Sequence, residues 1–360
     1  MTPHALTLRQ LLEIRQRNTR PLRKIPGYLG SAIGHKYTDG KPVLDREGRT
    51  IPAILVFVEK KKNVPPAQRV PVSLEGAKGL SCPTDVVEGT LPADAPTPQP
   101  VDGDGATLWH ALRNPPLKIT GGIPLTSEIA TGTAACLVRS TAAADRGRLG
   151  VLTNWHVAGL PGNRLLQPSP HLRPIGVSSR VVFTAPKTST PDDLESFTNA
   201  AHRLDAGFVA LYDARPRTCE AGVHSLGPLG EPHTVNLDSP ELDLVGRHVL
   251  GIGQTLGRQR GTIVAYGYEW KPDPDDNQIY ATDYLIVGER DGQPFAAAGD
   301  SGKLVVTDDE KRTPVALLWG GQRQGFWNAQ AQESWAYASA IRTVLDALEV
   351  AIEPNPRRHA

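Results

Sequence analysis

Three separated stretches of the chain contain the residue types that nucleophilic catalysis requires. The first is AAAGDSGKLVV, residues 296–306, in which Ser301 lies between Asp300 and Gly302, ahead of an apolar run. Glycine, aspartate and serine are also ordinary turn residues, so the stretch is equally typical of a plain turn that leads into a strand. A serine hydroxyl becomes an effective nucleophile when a general base takes its proton and a third group orients that base. A catalytic Ser301 therefore requires a histidine and a carboxylate elsewhere in the chain.

His156 is the histidine whose context suits a general base. It follows the strand-like run LGVLTN in the stretch LGVLTNWHVAG, residues 149–159. We expect it where a strand ends and the chain turns, a position that presents an imidazole rigidly to a cleft. The other nine of the ten histidines lie in polar or loop-like contexts that suit solvated or hydrogen-bonded side chains. A structural role is the alternative for His156.

Asp205 is the predicted orienting carboxylate. It directly precedes the apolar run AGFVAL, which predicts a buried strand entered from a loop. Asp192 and Asp193 also lie between the histidine and the serine, but the polar residues after them favour a solvated loop. The resulting chain order of His, Asp and Ser is that of the chymotrypsin arrangement, and it differs from the orders in subtilisin and in the α/β-hydrolases.

The same stretches carry a resemblance to a known family. LTNWHVAG, DAGFVAL and GDSGKLV resemble the three catalytic signatures of trypsin-like serine peptidases. IPAILVFVEKK, DLVGRHV, GTIVAYGYE and PVALLWGG extend the likeness from residue 51 to about residue 320, and they are similar to the intracellular trypsin-like group that includes the plant Narrow Leaf protein. Trp155 and Lys303 depart from the family pattern, which usually has an arginine before the histidine and a small hydroxyl residue at the position of Lys303.

The resemblance implies a reaction and a set of roles. His156 would take the proton of Ser301 while the hydroxyl attacks a peptide carbonyl, and Asp205 would stabilise the imidazolium that forms. The backbone N–H groups of Gly299 and Ser301 would form the oxyanion hole. The floor of the primary pocket corresponds to Phe295, so an apolar or small P1 residue is expected rather than arginine or lysine.

The family pattern also predicts the wall of the substrate cleft. The strand VALLWGG would place Trp319, Gly320 and Gly321 beside an extended peptide, which would bind by adding a strand. Plain core packing is the alternative for Trp319.

The family pattern raises the question of activation by cleavage. Many secreted relatives insert a new N-terminus beside the aspartate before the serine; the segment KITGGI, residues 118–123, contains an isoleucine and paired glycines but follows an acidic linker. We therefore expect Asp300 to be held by contacts within the chain, with no need for cleavage.

From about Leu117 onward, Gly, Pro and Asp turns separate short apolar runs, which is typical of a pair of β-barrels. With what the resemblance implies, we predict an all-β fold: a double β-barrel of trypsin-like type with a C-terminal helix, preceded by a small α/β or β-rich N-terminal module. The predicted boundaries are residues 1–88 for the N-terminal module, 89–116 for a Pro-rich acidic linker, and 117–352 for the peptidase domain with its two β-barrels. The stretch SWAYASAIRTVLDALEVAIE, residues 334–353, has apolar residues at helical spacing and predicts the C-terminal helix.

Composition limits the partners and the location. The 360 residues carry a formal net charge of +1, which argues against broad nucleic-acid binding, and no apolar run suggests a membrane partner. Three distant cysteines form neither a disulfide framework nor a metal-ligand pattern, and the N-terminus does not resemble a secretory signal. We expect a cytoplasmic protein without metal or cofactor, which acts on a protein or peptide and forms a homo-oligomer through residues 1–88.

Two functions from different classes fit the sequence. The first is a serine endopeptidase that works through a His-Asp-Ser triad. The second is a gated or inactive peptidase fold that serves as a scaffold for protein partners. The intact triad letters favour the endopeptidase.

Overall fold

The fold is known for most of the chain outside the predicted linker. A computed structural model describes residues 6–39, 41–61, 64–89, 118–167, 173–184, 187–188, 204–212, 219–240, 242, 244–270, 278–289, 294–322, 325–327, 330–332 and 335–354. Apart from Gly89, the predicted linker at residues 89–116 lies outside the described residues. None of the helices in the described ranges is long and apolar enough to cross a membrane.

The N-terminal part of the chain contains one long helix and six strands. In chain order these are α1 Leu8–Leu22, β1 Tyr28–His35, β2 Tyr37–Thr38, β3 Lys41–Pro42, β4 Pro52–Val58, β5 Ser73–Glu75 and β6 Ser81–Glu88, with 3-10 turns at Pro66–Gln68 and Ala77–Gly79. Helix α1 begins with a capping box, in which the backbone N–H groups of Thr7 and Gln10 each donate to the other residue's side chain. Its apolar residues Leu8, Leu11 and Ile14 are buried, so the helix packs on the strands by one face.

The rest of the chain is almost entirely strand. The elements up to the middle of the chain are β7 Ile119–Gly121, β8 Pro124–Thr126, β9 Thr131–Thr133, β10 Cys136–Ser140, β11 Leu149–Thr153, α2 Trp155–Ala158, β12 Arg164–Gln167, β13 Arg173–Phe183, β14 Lys187–Thr188, β15 Asp205–Leu211 and β16 Cys219–Val223, with a 3-10 turn at Ala143–Asp145. The later elements are β17 His248–Gly253, β18 Gly257–Trp270, β19 Gln278–Gly288, β20 Leu304–Thr307, β21 Pro314–Gln322, β22 Gly325–Trp327, β23 Gln330–Gln332, β24 Trp335–Ala340, α3 Ile341–Ala347 and β25 Val350–Ile352.

The first barrel is formed by one antiparallel sheet of eight strands. Their order is β25-β10-β11-β15-β13-β12-β8-β9. Strand register brings two of the candidate segments to the same end of this sheet. Thr153, the last residue of β11, lies opposite Gly207 of β15, and Asp205 at the start of β15 lies opposite Phe183 of β13. The turn after β11 and the beginning of β15 are therefore neighbours.

The second barrel is a closed ring of six antiparallel strands. Pairing runs from β17 to β20, β21, β24, β19 and β18, and β18 pairs back with β17. Within this ring each strand has a neighbour on both sides along at least part of its length. Residues 294–303, named here the serine loop, lead directly into β20. The predicted all-β double barrel of trypsin-like type is confirmed.

The N-terminal strands continue the sheet of the second barrel. The 14-residue strand β18 pairs with β1 as well as with its barrel neighbours, and β4, β6 and β5 follow in that order. Aromatic residues pack across the junction: Phe57 of β4 contacts Tyr268 of β18 with ring centroids 4.7 Å apart and Trp335 of β24 with centroids 5.1 Å apart. The N-terminal part therefore shares its core with strands of the second barrel.

The predicted C-terminal helix is present but shorter than the sequence pattern suggests. Only Ile341–Ala347 is helical, and the flanking parts of residues 334–353 form β24 and β25. In β24 all six residues are buried, because one side of the strand faces the barrel core and the other packs on the N-terminal strands. Tertiary packing thus overrides a helical spacing of apolar residues. Strand β25 returns to β10 of the first barrel.

Candidate active site

His156 and Asp205 meet at one end of the first barrel. His156 lies in the single helical turn α2, directly after β11, and Asp205 is the first residue of β15. The His156 Nδ1 and Asp205 Oδ2 atoms are 2.6 Å apart, and the backbone N–H of His156 donates to Asp205 Oδ1 over 3.2 Å. The carboxylate is thus held on the imidazole by two contacts.

The two side chains differ in their exposure. The Asp205 side chain is 5% exposed, whereas that of His156 is 36% exposed. A buried carboxylate that accepts the Nδ1–H of a neutral imidazole fixes the tautomer in which Nε2 carries the lone pair. The arrangement leaves a basic nitrogen at the surface of the cleft, which is what a general base needs.

Two neighbours of His156 in the chain, Asn154 and Trp155, support this pair. Asn154 is fully buried and its Nδ2 donates to the backbone oxygen of Asp205 over 2.5 Å. The ring of Trp155 packs on that of Phe183 with centroids 4.4 Å apart, and Phe183 lies opposite Asp205 in the sheet. For Asn154 the one available signal in the sequence was its position two residues before His156, whereas Trp155 was already noted as a departure from the family pattern.

Ser301 lies on the serine loop of the second barrel, between two glycines with positive φ. Gly299 has φ +94° and Gly302 has φ +91°. A Cβ on Gly302 would lie 2.2 Å from the backbone oxygen of Thr133, and one on Gly299 would lie 2.4 Å from Thr255 Oγ1. Only glycine fits these positions without displacement of neighbours.

The backbone N–H groups of the serine loop differ in whether they donate a hydrogen bond. Those of Asp300, Gly302 and Lys303 donate to backbone oxygens 2.9 Å away. Within the described ranges, the N–H groups of Gly299 and Ser301 donate to no protein group. These are the two amides that the sequence predicted for an oxyanion hole, and they are available to an acceptor that enters the site.

Thr133 of the first barrel ties the serine loop to that barrel. Its backbone N–H donates to the oxygen of Ser301 over 2.7 Å, and its Oγ1 donates to the oxygen of Gly299 over 3.0 Å. The same hydroxyl accepts the N–H of Gln254 over 3.1 Å. Thr133 lies in the segment TGTAAC, which carried no signal of this role in the sequence.

The serine and histidine segments converge on Gly132. A Cβ at Gly132 would lie 2.8 Å from the backbone oxygen of Ser301 and 2.4 Å from a methyl group of Val157, which follows His156. Both segments therefore lie against the same small residue. No hydrogen bond joins Ser301 Oγ to His156 among the described residues, and such contacts are often long in proteases without substrate.

Asp300 is held by contacts within the chain, as the sequence predicted. Its carboxylate is fully buried and accepts the backbone N–H groups of Thr255, Leu256 and Ala297 over 2.9, 3.3 and 3.3 Å. A Cβ at Gly253 would lie 2.3 Å from Asp300 Oδ1, so this glycine provides the room for the carboxylate. The side chain acts as an anchor of the serine loop.

The predicted substrate-binding residues fall into two groups. Phe295 is fully buried in the core of the second barrel and Trp319 is 7% exposed, so neither presents a side chain to an open surface. Gly320 and Gly321 pair with β24 on one side, and no described residue pairs with them on the side of β20. Their backbone could receive an extended peptide there, whereas the role of Phe295 in a pocket stays a prediction.

Thiols and metal-binding groups offer no second site in the described part of the chain. No cluster of three or more His, Cys, Asp or Glu residues that could hold a metal ion occurs among the described residues. Cys82 and Cys136 are buried, and burial raises the pKa of each thiol to about 12. Such thiols remain protonated and unreactive at neutral pH.

Several solved structures are similar to this chain at low sequence identity. A glutamic-acid-specific serine protease aligns with a TM-score of 0.43 and 16% identity, covering 65% of this chain and 100% of its own. Protease A of Thermobifida fusca aligns with a TM-score of 0.41 and 16% identity over 66% of this chain and 99% of its own. A chymotrypsin of Cellulomonas bogoriensis aligns with a TM-score of 0.40 and 17% identity over 66% of this chain and 99% of its own.

Two curated proteins are more closely related in sequence. Protein NARROW LEAF 1 of Oryza sativa subsp. japonica is 31% identical over 368 aligned positions, which include 97% of this chain and 61% of that protein. A probable serine protease of Bradyrhizobium tropiciagri is 29% identical over 342 positions, which include 85% of this chain and 40% of that protein. The chain thus spans about three fifths and two fifths of the length of these relatives.

Family models match both parts of the chain. The Narrow Leaf 1 N-terminal domain matches residues 3–87, and the Nal1 C-terminal domain matches residues 106–355. The second match alone covers more than half of the chain and includes both barrels with His156, Asp205 and Ser301. This chain, with the double-barrel fold of the trypsin-like serine proteases, therefore belongs to the Narrow Leaf 1 (Nal1) family.

Proposed function

We propose that this protein is a serine endopeptidase that hydrolyses peptide bonds through an acyl-enzyme. The observation that carries the proposal is the 2.6 Å contact between His156 Nδ1 and Asp205 Oδ2, which leaves Nε2 free to accept a proton. The relative from Bradyrhizobium tropiciagri, described as a probable serine protease, supports the same class of reaction.

The proposed reaction begins with proton transfer from Ser301 to His156. Ser301 Oγ attacks the peptide carbonyl carbon while His156 Nε2 takes the hydroxyl proton, and Asp205 stabilises the imidazolium. The oxyanion accepts hydrogen bonds from the N–H groups of Gly299 and Ser301, and each such donor is worth about 2.7 to 4 kcal/mol in the transition state. His156 then protonates the leaving amine, and water attacks the acyl-enzyme in the reverse sequence.

The proposed substrate is an extended protein segment with an apolar or small P1 residue. The side of β21 at Gly320 and Gly321 with which no described residue pairs supports binding by strand addition. Phe295 offers no carboxylate that could neutralise arginine or lysine, which supports the exclusion of a trypsin-type preference. A cytoplasmic location, a homo-oligomer and the absence of a cofactor stay predictions.

A peptide library tests the proposed function against many candidate substrates at once. The full chain and its Ser301→Ala variant are each incubated with a proteome-derived peptide library, and new termini are identified by mass spectrometry. We expect the wild type to produce new termini after apolar or small residues, and the variant to produce none above background. Identical products from both proteins, or none from a folded wild type, would contradict the endopeptidase and favour the peptidase-fold scaffold.

A further inference from the structure

Lys303, two residues after Ser301, is a cation in the core of the second barrel. Its side chain and that of Asp300 are both 0% exposed. Lysine is among the residues that are least often buried, because an ammonium group taken from water must find compensating partners. The proposed reaction does not use this charge, so its presence beside the nucleophile needs a separate explanation.

The contacts of Lys303 join the two ends of the serine loop. Its Nζ donates to the backbone oxygen of Phe295, eight residues earlier, and lies 3.5 Å from Asp300 Oδ2. The ammonium also lies 4.4 Å from the centroid of the Phe295 ring, within the range of a cation–π contact. One cation thus holds the start of the loop, the buried carboxylate and the strand that follows.

The adjoining strand makes room for this lysine. A Cβ on Gly251 of β17 would lie 3.0 Å from both Cγ and Cδ of Lys303. The backbone of Lys303 is fixed as well, since its oxygen accepts the N–H of Leu318 in β21 over 3.0 Å. The lysine is therefore held at its backbone, along its stem and at its ammonium group.

The ion pair determines the form of the loop at the nucleophile. Asp300 lies between Gly299 and Ser301, and its carboxylate points inward to Lys303 and three backbone amides. With this side chain fixed, the backbone N–H groups of Gly299 and Ser301, the residues on either side of Asp300, stay available to an oxyanion, since they donate to no group in the described ranges. We propose that Lys303 is a positioning residue that holds the serine loop in its reactive form in the uncleaved chain. This inference rests on the proposed function.

Titration of Lys303 should change the reactivity of Ser301 and the stability of the fold in opposite directions. Burial lowers the pKa of Lys303 below its ordinary value of 10.5, and Asp300, the charged group that acts on it among the described residues, opposes that effect. Because the unfolded chain binds the proton more tightly, this group makes the fold more stable as pH rises between the two pKa values. Deprotonation of Lys303 would nevertheless leave Asp300 without its charged partner. Between the two pKa values of Lys303, the reactivity of Ser301 should therefore fall as pH rises, while the contribution of Lys303 to stability rises.

Another buried ion pair provides a matched control. Arg15 of α1 and Glu269 of β18 are 4% and 7% exposed, and Arg15 Nη2 lies 2.5 Å from Glu269 Oε1. This pair fastens the N-terminal helix to the sheet and has no contact with the serine loop. Removal of Arg15 also leaves a buried carboxylate, that of Glu269, without its charged partner, so the effect on folding should be comparable.

The test compares Lys303→Met with Arg15→Met in the full chain. A fluorophosphonate probe measures the labelling rate of Ser301 per folded molecule, and circular dichroism gives the folded fraction. We expect Lys303→Met to label at least about 100-fold more slowly, the loss typical of one missing oxyanion donor. Arg15→Met should label at the wild-type rate while melting at a lower temperature. Equal labelling of folded Lys303→Met and wild type would overturn the inference alone.

A second variant covers the case in which Lys303→Met does not fold. Asp300→Asn combined with Lys303→Met removes both charges, and the asparagine oxygen can still accept backbone amides. We expect this protein to fold and to label slowly, and wild-type labelling would overturn the inference. The wild-type labelling rate should also fall on the alkaline side below pH 10.5, the ordinary lysine pKa, without loss of the fold. A wild type that does not label at all would overturn the proposed function as well.

Discussion

The two barrels supply the candidate site in different ways. The first barrel presents His156 and Asp205 from regular elements, where strand register brings them to one end of the sheet and a direct hydrogen bond joins them. The second barrel presents Ser301 on a loop, and that loop keeps its form through positive-φ glycines, a buried ion pair and Thr133.

The two halves of the candidate site, His156 with Asp205 and the serine loop with Ser301, should therefore lose activity through different kinds of mutation. The first half depends on chemical groups, because its scaffold is an antiparallel sheet that tolerates local change. The second half depends also on residues that touch no reacting atom, since a shift of about 1 Å in a reacting group can cost roughly 10²-fold in rate. Mutations in the serine loop should therefore alter activity without removal of any catalytic group.

Removal of either partner of the proton transfer should have the largest effect. His156→Ala and Ser301→Ala should each lower kcat by roughly 10⁶-fold, and the double variant should be no slower, because such residues act as one unit. Hydrolysis of a substrate found in the peptide library provides the measurement. Effects that multiply in the double variant would mean that the two barrels do not act together.

Asp205→Asn tests the first half alone, with the second half intact. An amide favours the wrong imidazole tautomer, so we expect a loss of about 10⁴-fold in turnover, the value for this substitution in chymotrypsin-type enzymes. The fold should persist, because asparagine has nearly the same shape. Turnover is measured beside the circular dichroism spectrum, and a loss below tenfold would exclude Asp205 as the orienting acid.

Gly302→Ala tests the second half without change to any polar group. Its Cβ would lie 2.2 Å from the Thr133 backbone oxygen, at φ +91°. We expect a loss of about 2 to 4 kcal/mol in the free energy of unfolding, from positive φ and overpacking together. Displacement of Ser301 should lower turnover by roughly 10²-fold.

Gly147→Ala is the control for Gly302→Ala. Gly147 has φ +81°, but a Cβ there would have no atom within 4 Å. It should cost only about 1 to 2 kcal/mol of stability, from φ alone, and leave turnover unchanged. Equal turnover in the two variants at a temperature where both are folded would show that the form of the serine loop does not limit the reaction.

Thr133→Val should have the smallest effect, because it weakens the connection between the barrels while it keeps the shape of the side chain. It removes the hydroxyl that donates to the oxygen of Gly299 and accepts the N–H of Gln254. We expect a loss of about 1 to 3 kcal/mol in stability and roughly tenfold in turnover. Thr131→Val, on the same strand and in an exposed hydroxyl pair, should change neither the stability measured by urea unfolding nor the turnover. Equal effects of Thr133→Val and Thr131→Val would contradict the role of Thr133 in connecting the serine loop to the first barrel.

The sequence predicted the elements whose signals are local. The apolar runs before His156 and after Asp205 form β11 and β15 as expected, and the short apolar runs between turns, with the trypsin-like resemblance, predicted two barrels. The helix expected over residues 334–353 is confined to Ile341–Ala347, because WAYASA is a strand buried on both sides, and burial of that kind gives no clear alternation.

Features that depend on distant contacts could not be predicted. Thr133 lies 166 residues from the oxygen that it binds in the serine loop, and no local pattern connects the two. Lys303 departs from the family pattern, yet its role depends on the room that Gly251 leaves in another strand. The joining of β1 to β18 likewise requires strand register that the N-terminal sequence does not specify.

Covalent labelling of the resting protein tests most directly whether the two barrels together activate Ser301. The full chain is exposed to a fluorophosphonate probe, and intact mass measurement and peptide mapping locate the adduct. We expect one adduct at Ser301, none in Ser301→Ala, and much slower formation in Asp205→Asn. An adduct at another serine, equal labelling of Ser301→Ala, or no adduct on the folded wild type would contradict activation of Ser301 by the two barrels.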